Sequence, residues 1–238
     1  MQKLPLEILF ENEKLVAVNK PSGMLTLPDR HDAELQSLRG ILQKHYGTLF
    51  VIHRLDKDTS GVIIFAKDEA THKYMSALFE GREIQKEYTG FVHGSPEPAE
   101  GSIKEPIAEH PAKNGTMMIH HKGKASHTDY IVLEAFQKFS LVKFIIHTGR
   151  THQIRVHCKF IGHPIVCDPL YGDGKPVLLS SFKKKFKLSK NEEEERPILA
   201  RLGLHAQKLV FNDMNGEEVS IEAPMPKDMR ALLSQLRK

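Results

Sequence analysis

Short apolar runs bounded by turn residues dominate the chain. Residues 6–12 (LEILFEN) and 14–20 (KLVAVNK) read as two strands, closed by the turn-like Pro21-Ser22-Gly23. A polar stretch with helical spacing follows at about 34–46. The segment 50–67, FVIHRLDKDTSGVIIFAK, is β-rich at both ends, and its centre from Asp56 to Gly61 has turn composition. Residues 69–81 predict a helix ending near Gly81, and 87–94 a strand. From 101 to 148 the pattern is short strands and turns, clearest at 129–136 and 140–149, which are rich in β-branched and aromatic residues. Residues 151–162 have helix spacing, with Ile154, His157, Cys158 and Ile161 on one face. Residues 202–211 and 217–224 read as a closing hairpin around Asn215-Gly216, and 227–238 as a terminal amphipathic helix. Hairpins outnumber helices and regular strand–helix alternation is missing. The expected class is therefore α+β, one domain spanning 1–238 on a mainly antiparallel mixed sheet with flanking helices.

Composition narrows the function classes. A chain of 238 residues can bury one full core or two small ones. Its charge balance, 34 − 30 = +4, is mildly basic, which permits a polyanionic partner without demanding one. No apolar run approaches the roughly 20 residues that cross a bilayer, and the opening segment lacks the layout of a signal peptide. The expectation is a cytoplasmic protein without membrane contact. Cys158 and Cys167 fit neither a redox CxxC pair nor a cysteine-rich zinc site, and read as small packing residues. The stretch 180–197 is a basic block followed by an acidic one and reads as an exposed, charged insertion.

The loop HRLDKDTSG, 53–61, concentrates an imidazole, a guanidinium and two carboxylates between hydrophobic strands. A calcium loop would place Asp56, Asp58, Ser60 and Gly61 at ligand-loop positions. The twelfth position is then Lys67, where a bidentate carboxylate is required. A hydrolase triad of His53, Asp56 and Ser60 lacks a nucleophile elbow, and three members within eight residues do not converge easily. Two readings stay open on the residues alone: a capped polar turn, or an active-site loop.

The order of residues favours the second. HRLD followed by xxTSG resembles the signature of RluA-type pseudouridine synthases. Asn19-Lys20-Pro21-Ser22-Gly23 is similar to the KPxG segment of that family, and Lys86-Glu87-Tyr88 to its Lys-x-Tyr segment. GRTHQIRVH (149–157) resembles its third motif, followed by GHPIVCDPLYG (162–172) and LGLHAQKLVF (202–211). The segments come in family order and span nearly the whole chain. Cys167 stands where the family usually has Gly. The KPxG segment begins at residue 20, so the resemblance is to a catalytic domain without the N-terminal S4-type domain that many members carry.

The resemblance implies an isomerase acting on uridines of structured ribosomal or transfer RNA. Such an enzyme breaks the N1–C1′ bond, turns the uracil and rejoins it through C5. No electrons or external groups are transferred, so neither cofactor nor metal is called for. The carboxylate at the sugar–base junction would be Asp56, as nucleophile or as base toward the sugar. Arg155 would be its ionic partner, and Tyr88 would stack on the target base. Arg54 would fill the space left by the flipped nucleotide. Other RNA contacts expected within the same segments are His53, Lys20, Arg150 and His152. His147, His152 and His157 recur every five residues, about 140° apart on a helix, and no nearby carboxylate or thiol pair is evident to complete a metal site. A monomer without an obligate protein partner is expected. The rivals are a non-catalytic RNA-binding protein on the same scaffold and a histidine-based metallohydrolase.

Overall fold

The computed structural model describes residues 5–28, 36–183, 186–188 and 194–238. Part of the charged stretch 180–197 and the first two residues of the helix expected at 34–46 lie outside them. In chain order the elements are β1 (Glu7–Glu11), β2 (Leu15–Lys20), α1 (Leu38–Tyr46), β3 (Phe50–Val51), β4 (Ser60–Ala66), α2 (Glu69–Gly81) and β5 (Gln85–His93). There follow β6 (Glu100–Ile103), β7 (Ile107–Glu109), β8 (Met117–Ile119), β9 (Thr128–Ala135), β10 (Phe139–Ile146), α3 (Gln153–Phe160), β11 (Leu204–Asn212), β12 (Glu218–Glu222) and α4 (Lys227–Leu236). The class is α+β, with mixed but mostly antiparallel pairing. No helix among the described residues is long and apolar enough to cross a membrane.

Two compact units share the chain. The first combines residues up to Tyr88 with His205–Pro224, and the second combines Thr89–Leu204 with Met225–Lys238. In the first unit the strand order is β1-β2-β4-β11, with β12 on β11 and β3 on β4. β4 is buried along its whole length, which its run Val62-Ile63-Ile64-Phe65 requires of a strand covered on both faces. Val62, Ile64 and Ala66 pack with Met75 and Leu78 of α2 and with Leu209, Phe211 and Ile221. Ile63 and Phe65 turn the other way, against Leu38 and Leu42 of α1. Each of these large side chains removed from water contributes roughly 1.5–3 kcal/mol. Ser37 caps α1 by accepting the Gly40 N–H, and Asp68 caps α2 by accepting the Thr71 N–H at 2.8 Å. α2 does end at Gly81, but the left-handed cap falls on Arg82, at φ 62°.

The second unit carries the order β10-β9-β6, with β5 beside β10, and a separate hairpin of β7 and β8. Its main core gathers Phe91, Phe139, Leu141, Val166 and Leu199 with Met229 and Leu232 of α4. Cys158 and Cys167 are both buried free thiols, in the packing role expected of them. Cys167 sits at φ 59°, a left-handed conformation that favours glycine and accounts for the glycine usual at this position in the resembling family.

The loop from His53 to Thr59 leaves the first unit's sheet at a defined point. β3 pairs with β4 only through Phe50↔Ala66 and Val51↔Phe65. Beyond Val51 the imidazole of His53 replaces the strand, its Nε2 accepting the Ile64 N–H at 3.1 Å. At the other end Gly61 adopts φ 120°, and a Cβ there would lie 2.0 Å from the Ala206 carbonyl oxygen. The backbones of β4 and β11 can run in parallel at His205↔Ser60 and Ala206↔Gly61 only because that side chain is missing. Gly61→Ala is expected to destabilise the protein by about 2–4 kcal/mol through overpacking and strain together. Urea unfolding followed by circular dichroism checks this; a midpoint unchanged from wild type would show that the strands can move apart freely.

Candidate active site

Asp56 is held by a clasp between two segments 35 residues apart in sequence. The Lys20 side chain is fully buried, and its Nζ donates to the carbonyls of Pro21, Met24 and Lys57 at 3.1, 2.8 and 2.8 Å. Gly23 N–H donates to Lys57 O at 2.9 Å, and Ser22 Oγ to Asp58 O at 2.6 Å. Thr26 Oγ1 donates to Leu55 O at 3.0 Å and accepts the Leu55 N–H at 3.3 Å. The segment from Lys20 to Thr26 therefore grips the loop on both sides of Asp56. Leu55 anchors the loop in the core while Arg54 faces solvent and Asp56 is half-buried. A turn closes the loop where Thr59 N–H donates to Asp56 O at 3.2 Å.

Tyr88 lies in the same unit, packed against the cluster that contains Leu55. Burial pushes its phenol above the ordinary range, and the Asp56 carboxylate adds to that rise. The two expected catalytic groups of this unit are thus near enough to influence one another electrostatically. Lys86, two residues earlier on the strand, is buried with its Nζ 5.6 Å from the Phe79 ring centre. Burial, and secondarily Arg82, lower its ammonium from the ordinary lysine value.

Lys20, one of the expected RNA contacts, has a structural role instead, and His53, another, has internal partners. Lys20 is fully buried, with its ammonium donating to three main-chain carbonyls. His53 is stacked on Phe79 at 4.6 Å between ring centres while its Nε2 accepts the Ile64 N–H. Burial, helped by the Lys86 charge, pushes its imidazole down to about 3, so it is neutral at physiological pH. The residues 53–61 also have a support that the motif did not reveal: Ser60 Oγ lies 2.9 Å from His205 Nδ1, and His205 Nε2 lies 3.2 Å from Ala223 O. With Nε2 donating to that carbonyl, Nδ1 accepts the serine hydroxyl.

In the second unit Arg155 is 2 % exposed and Asp168 is fully buried. Nε and Nη2 of the arginine donate to Asp168 Oδ2 and Oδ1 at 2.7 and 2.8 Å, a bidentate pair. Asp168 Oδ1 also accepts the Leu170 and Tyr171 N–H groups. The Tyr171 ring centre lies 5.0 Å from the guanidinium carbon. Its hydroxyl accepts the Met117 N–H and donates to His152 Nδ1, both at 2.8 Å. Arg150 is half-buried, with Nε donating to Ala125 O at 3.0 Å. Gln153 fastens the loop before α3, accepting from Thr148 Oγ1 and Arg150 N and donating to His127 O and Thr128 Oγ1. The whole stretch Gln153–Cys158 is buried, not one face of it, because Gln153, Arg155 and His157 each enter with a polar partner.

Of the three histidines spaced by five, His157 is buried against Thr128 and Ser126, and His152 bonds Tyr171. His147 corrects the expectation that no carboxylate stands near: its Nε2 lies 2.6 Å from Asp129 Oδ2, and His127 joins them. Asp129 and His127 come from a neighbouring strand and the residue before it, beyond the reach of sequence spacing.

Comparison with known proteins agrees with this architecture. The sequence model of the RNA pseudouridylate synthase family matches residues 14–160. An uncharacterized RNA pseudouridine synthase of Bacillus subtilis, YlyB, is 33% identical over 251 residues, covering 100% of this chain and 75% of its own. The ribosomal large subunit pseudouridine synthase D of Escherichia coli is 33% identical over 243 residues, covering 99% of this chain and 72% of its own. A solved structure, human RNA pseudouridylate synthase domain containing 4, superposes with a TM-score of 0.73 at 26% identity, covering 97% of this chain and 93% of that one. The fold and sequence are those of an isomerase class that converts uridine to pseudouridine in RNA. The chain belongs to the RNA pseudouridylate synthase family, in its RluA branch.

The neutral His53 has a consequence for stability. Its native value lies far below the 6.5 of a free histidine, so the unfolded chain takes up this proton first as pH falls. Its contribution is fully present above about pH 6.5 and is lost progressively toward about pH 3. Glutamine keeps an acceptor there without the titration. Between about pH 7 and about pH 4, wild type should lose on the order of 2 kcal/mol more unfolding free energy than His53→Gln. Parallel losses in urea titrations of the two proteins would refute the assignment.

Proposed function

We propose that this protein isomerises uridine in ribosomal RNA of the large subunit, with Asp56 as the catalytic carboxylate. The observation that carries this reading is the double clasp around Asp56, which spends a buried ammonium and four further hydrogen bonds on one loop. The ribosomal substrate follows from the names of its bacterial relatives. Asp56 attacks C1′ or takes a proton from the sugar as the N1–C1′ bond breaks. The freed uracil turns, and C5 bonds to C1′ as the Asp56–C1′ bond breaks or the sugar proton returns; the C5 hydrogen then leaves as a proton while N1 takes one up.

Tyr88 is the stacking platform for the base, and its hydroxyl is suited to assist the late proton transfer. Burial and a neighbouring carboxylate both keep that hydroxyl protonated. Arg155 is assigned the part of ionic partner to the catalytic carboxylate. A guanidinium has five N–H donors, and the Asp168 pair employs one edge of the plane. Exposed Arg54 is the wedge that fills the vacated stack, and Arg150 and His152 are RNA contacts of the second unit. The protein works in the cytoplasm as a monomer.

Release of tritium from uracil-C5-labelled, unmodified large-subunit RNA tests the reaction. Wild type is expected to release it and Asp56→Asn is not, with RNA affinity retained because shape is preserved. Turnover by the variant above about a hundredth of wild type would rule out Asp56 as the catalytic carboxylate. Binding without release by wild type would instead indicate an RNA-binding protein on this scaffold.

Tyr88→Phe separates the two roles of the tyrosine. Stacking survives in phenylalanine, so RNA affinity should hold while kcat falls on the order of a hundredfold from loss of the hydroxyl. Wild-type kcat in this variant would confine Tyr88 to stacking.

A further inference from the structure

We propose that His127, Asp129 and His147 form a binding site for a divalent cation of the zinc type. The backbone assembles it. β9 and β10 pair at Thr128↔Ile146 and Asp129↔Ile145. The ladder continues one step, where His147 N–H donates to His127 O at 3.1 Å. His127 and His147 therefore stand across from one another, and Asp129, two residues after His127, projects on the same face. The imidazole rings stack with centres 4.1 Å apart and planes 20° from parallel. Both turn Nε2 toward one carboxylate, 2.9 Å to Oδ1 from His127 and 2.6 Å to Oδ2 from His147. One ligand atom from each of the three residues falls within 4.8 Å of the others.

Chemistry selects the ligand. Two imidazole nitrogens and one carboxylate oxygen suit zinc, cobalt(II) and nickel(II), whereas magnesium and calcium call for oxygen throughout. The side chains are 30%, 32% and 41% exposed, so an ion can enter and water can complete its shell. The site also has an outer layer. Ser102, paired with Asp129 across β6 and β9, hydrogen-bonds Asp129 Oδ1 and so orients the carboxylate. Gln153 accepts from Thr148 Oγ1, which in turn accepts the His127 N–H at 2.9 Å. The main chain on both sides of the site is thereby held in place before any ion arrives. An ion would take the place of the two Nε2–carboxylate hydrogen bonds, displacing the protons they hold. None of these residues is required by the chemistry at Asp56, so the site is additional to the isomerase reaction.

The experiment is a titration of the chelator-treated full chain with cobalt(II) chloride, followed by visible absorption, and with zinc chloride, followed by calorimetry. One cation per chain is expected, and magnesium chloride should give no signal. Asp129→Asn and His147→Ala should each abolish stoichiometric binding, and Ser102→Ala should weaken it about tenfold. Absence of stoichiometric binding by wild type would overturn the proposal, as would variants that bind as tightly as wild type. Should a ligand variant fail to fold, paramagnetic broadening of wild-type amide signals by cobalt decides the matter. Broadening centred on 127–129 and 145–147 supports the site. Broadening centred elsewhere, for instance on the adjacent pair His120 and His121, overturns it.

Discussion

The ammonium of Lys20 is the interaction on which the candidate active site most depends. A fully buried lysine is costly to desolvate, and it stays charged only where acceptors replace water. Here three main-chain carbonyls do so, two from its own turn and one, Lys57 O, from the loop beside Asp56. The charge cannot be satisfied unless the two segments meet, and their meeting sets the backbone path on both sides of the carboxylate. Ser22, Gly23 and Thr26 then add local hydrogen bonds along the same seam. A loop of this composition would ordinarily be among the more mobile parts of a fold. Here it is tied at each flank and anchored at its centre by Leu55.

The second unit treats Arg155 by the same logic, with a carboxylate in place of the carbonyls. Its buried pair with Asp168 is weak evidence for stability, since two well-packed apolar residues often serve as well. What the pair supplies is direction. A guanidinium gripped along one edge, lying against Tyr171 and seated on a helix buried from Gln153 to Cys158, has little rotational freedom left. Tyr171 in turn is held by Met117 and His152, so the orientation of Arg155 is determined through three layers of contacts. Such layering suits a charge that must be in place before a substrate arrives, because electrostatic help in catalysis is greatest when the donors need not reorganise.

Much of this was legible in the sequence. The apolar runs located β2, β4, β9 and β10, and helical spacing located all four helices, to within a few residues. The loop at 53–61 stood out through composition and order. Chemistry that arises only when distant segments meet was hidden. Lys20 and His53 belong to recognisable motifs, yet both proved to be internal supports. A polar residue in a motif carries no mark of whether its partner is solvent or a carbonyl 37 positions away. The same reason concealed Ser60 with His205, Arg155 with Asp168, and the meeting of His127, Asp129 and His147. Each is a contact across strands or between a helix and a loop, set by register and packing rather than by spacing along the chain.

The misread residues share a physical feature. A motif shared across a family was expected to mark groups that touch the substrate. In this protein it marks equally the groups that would be expensive to leave unsatisfied. A buried ammonium, a neutral imidazole serving as a strand's missing acceptor, and a left-handed Cys167 all tolerate little replacement. Arg54 faces solvent and Asp56 is half-buried beside it, whereas Leu55 between them is buried. Three consecutive residues thus take three different placements, in solvent, in the core and half-buried. The division holds because an extended backbone turns successive side chains to opposite sides, and because the Lys20 clasp prevents the loop from slipping by one.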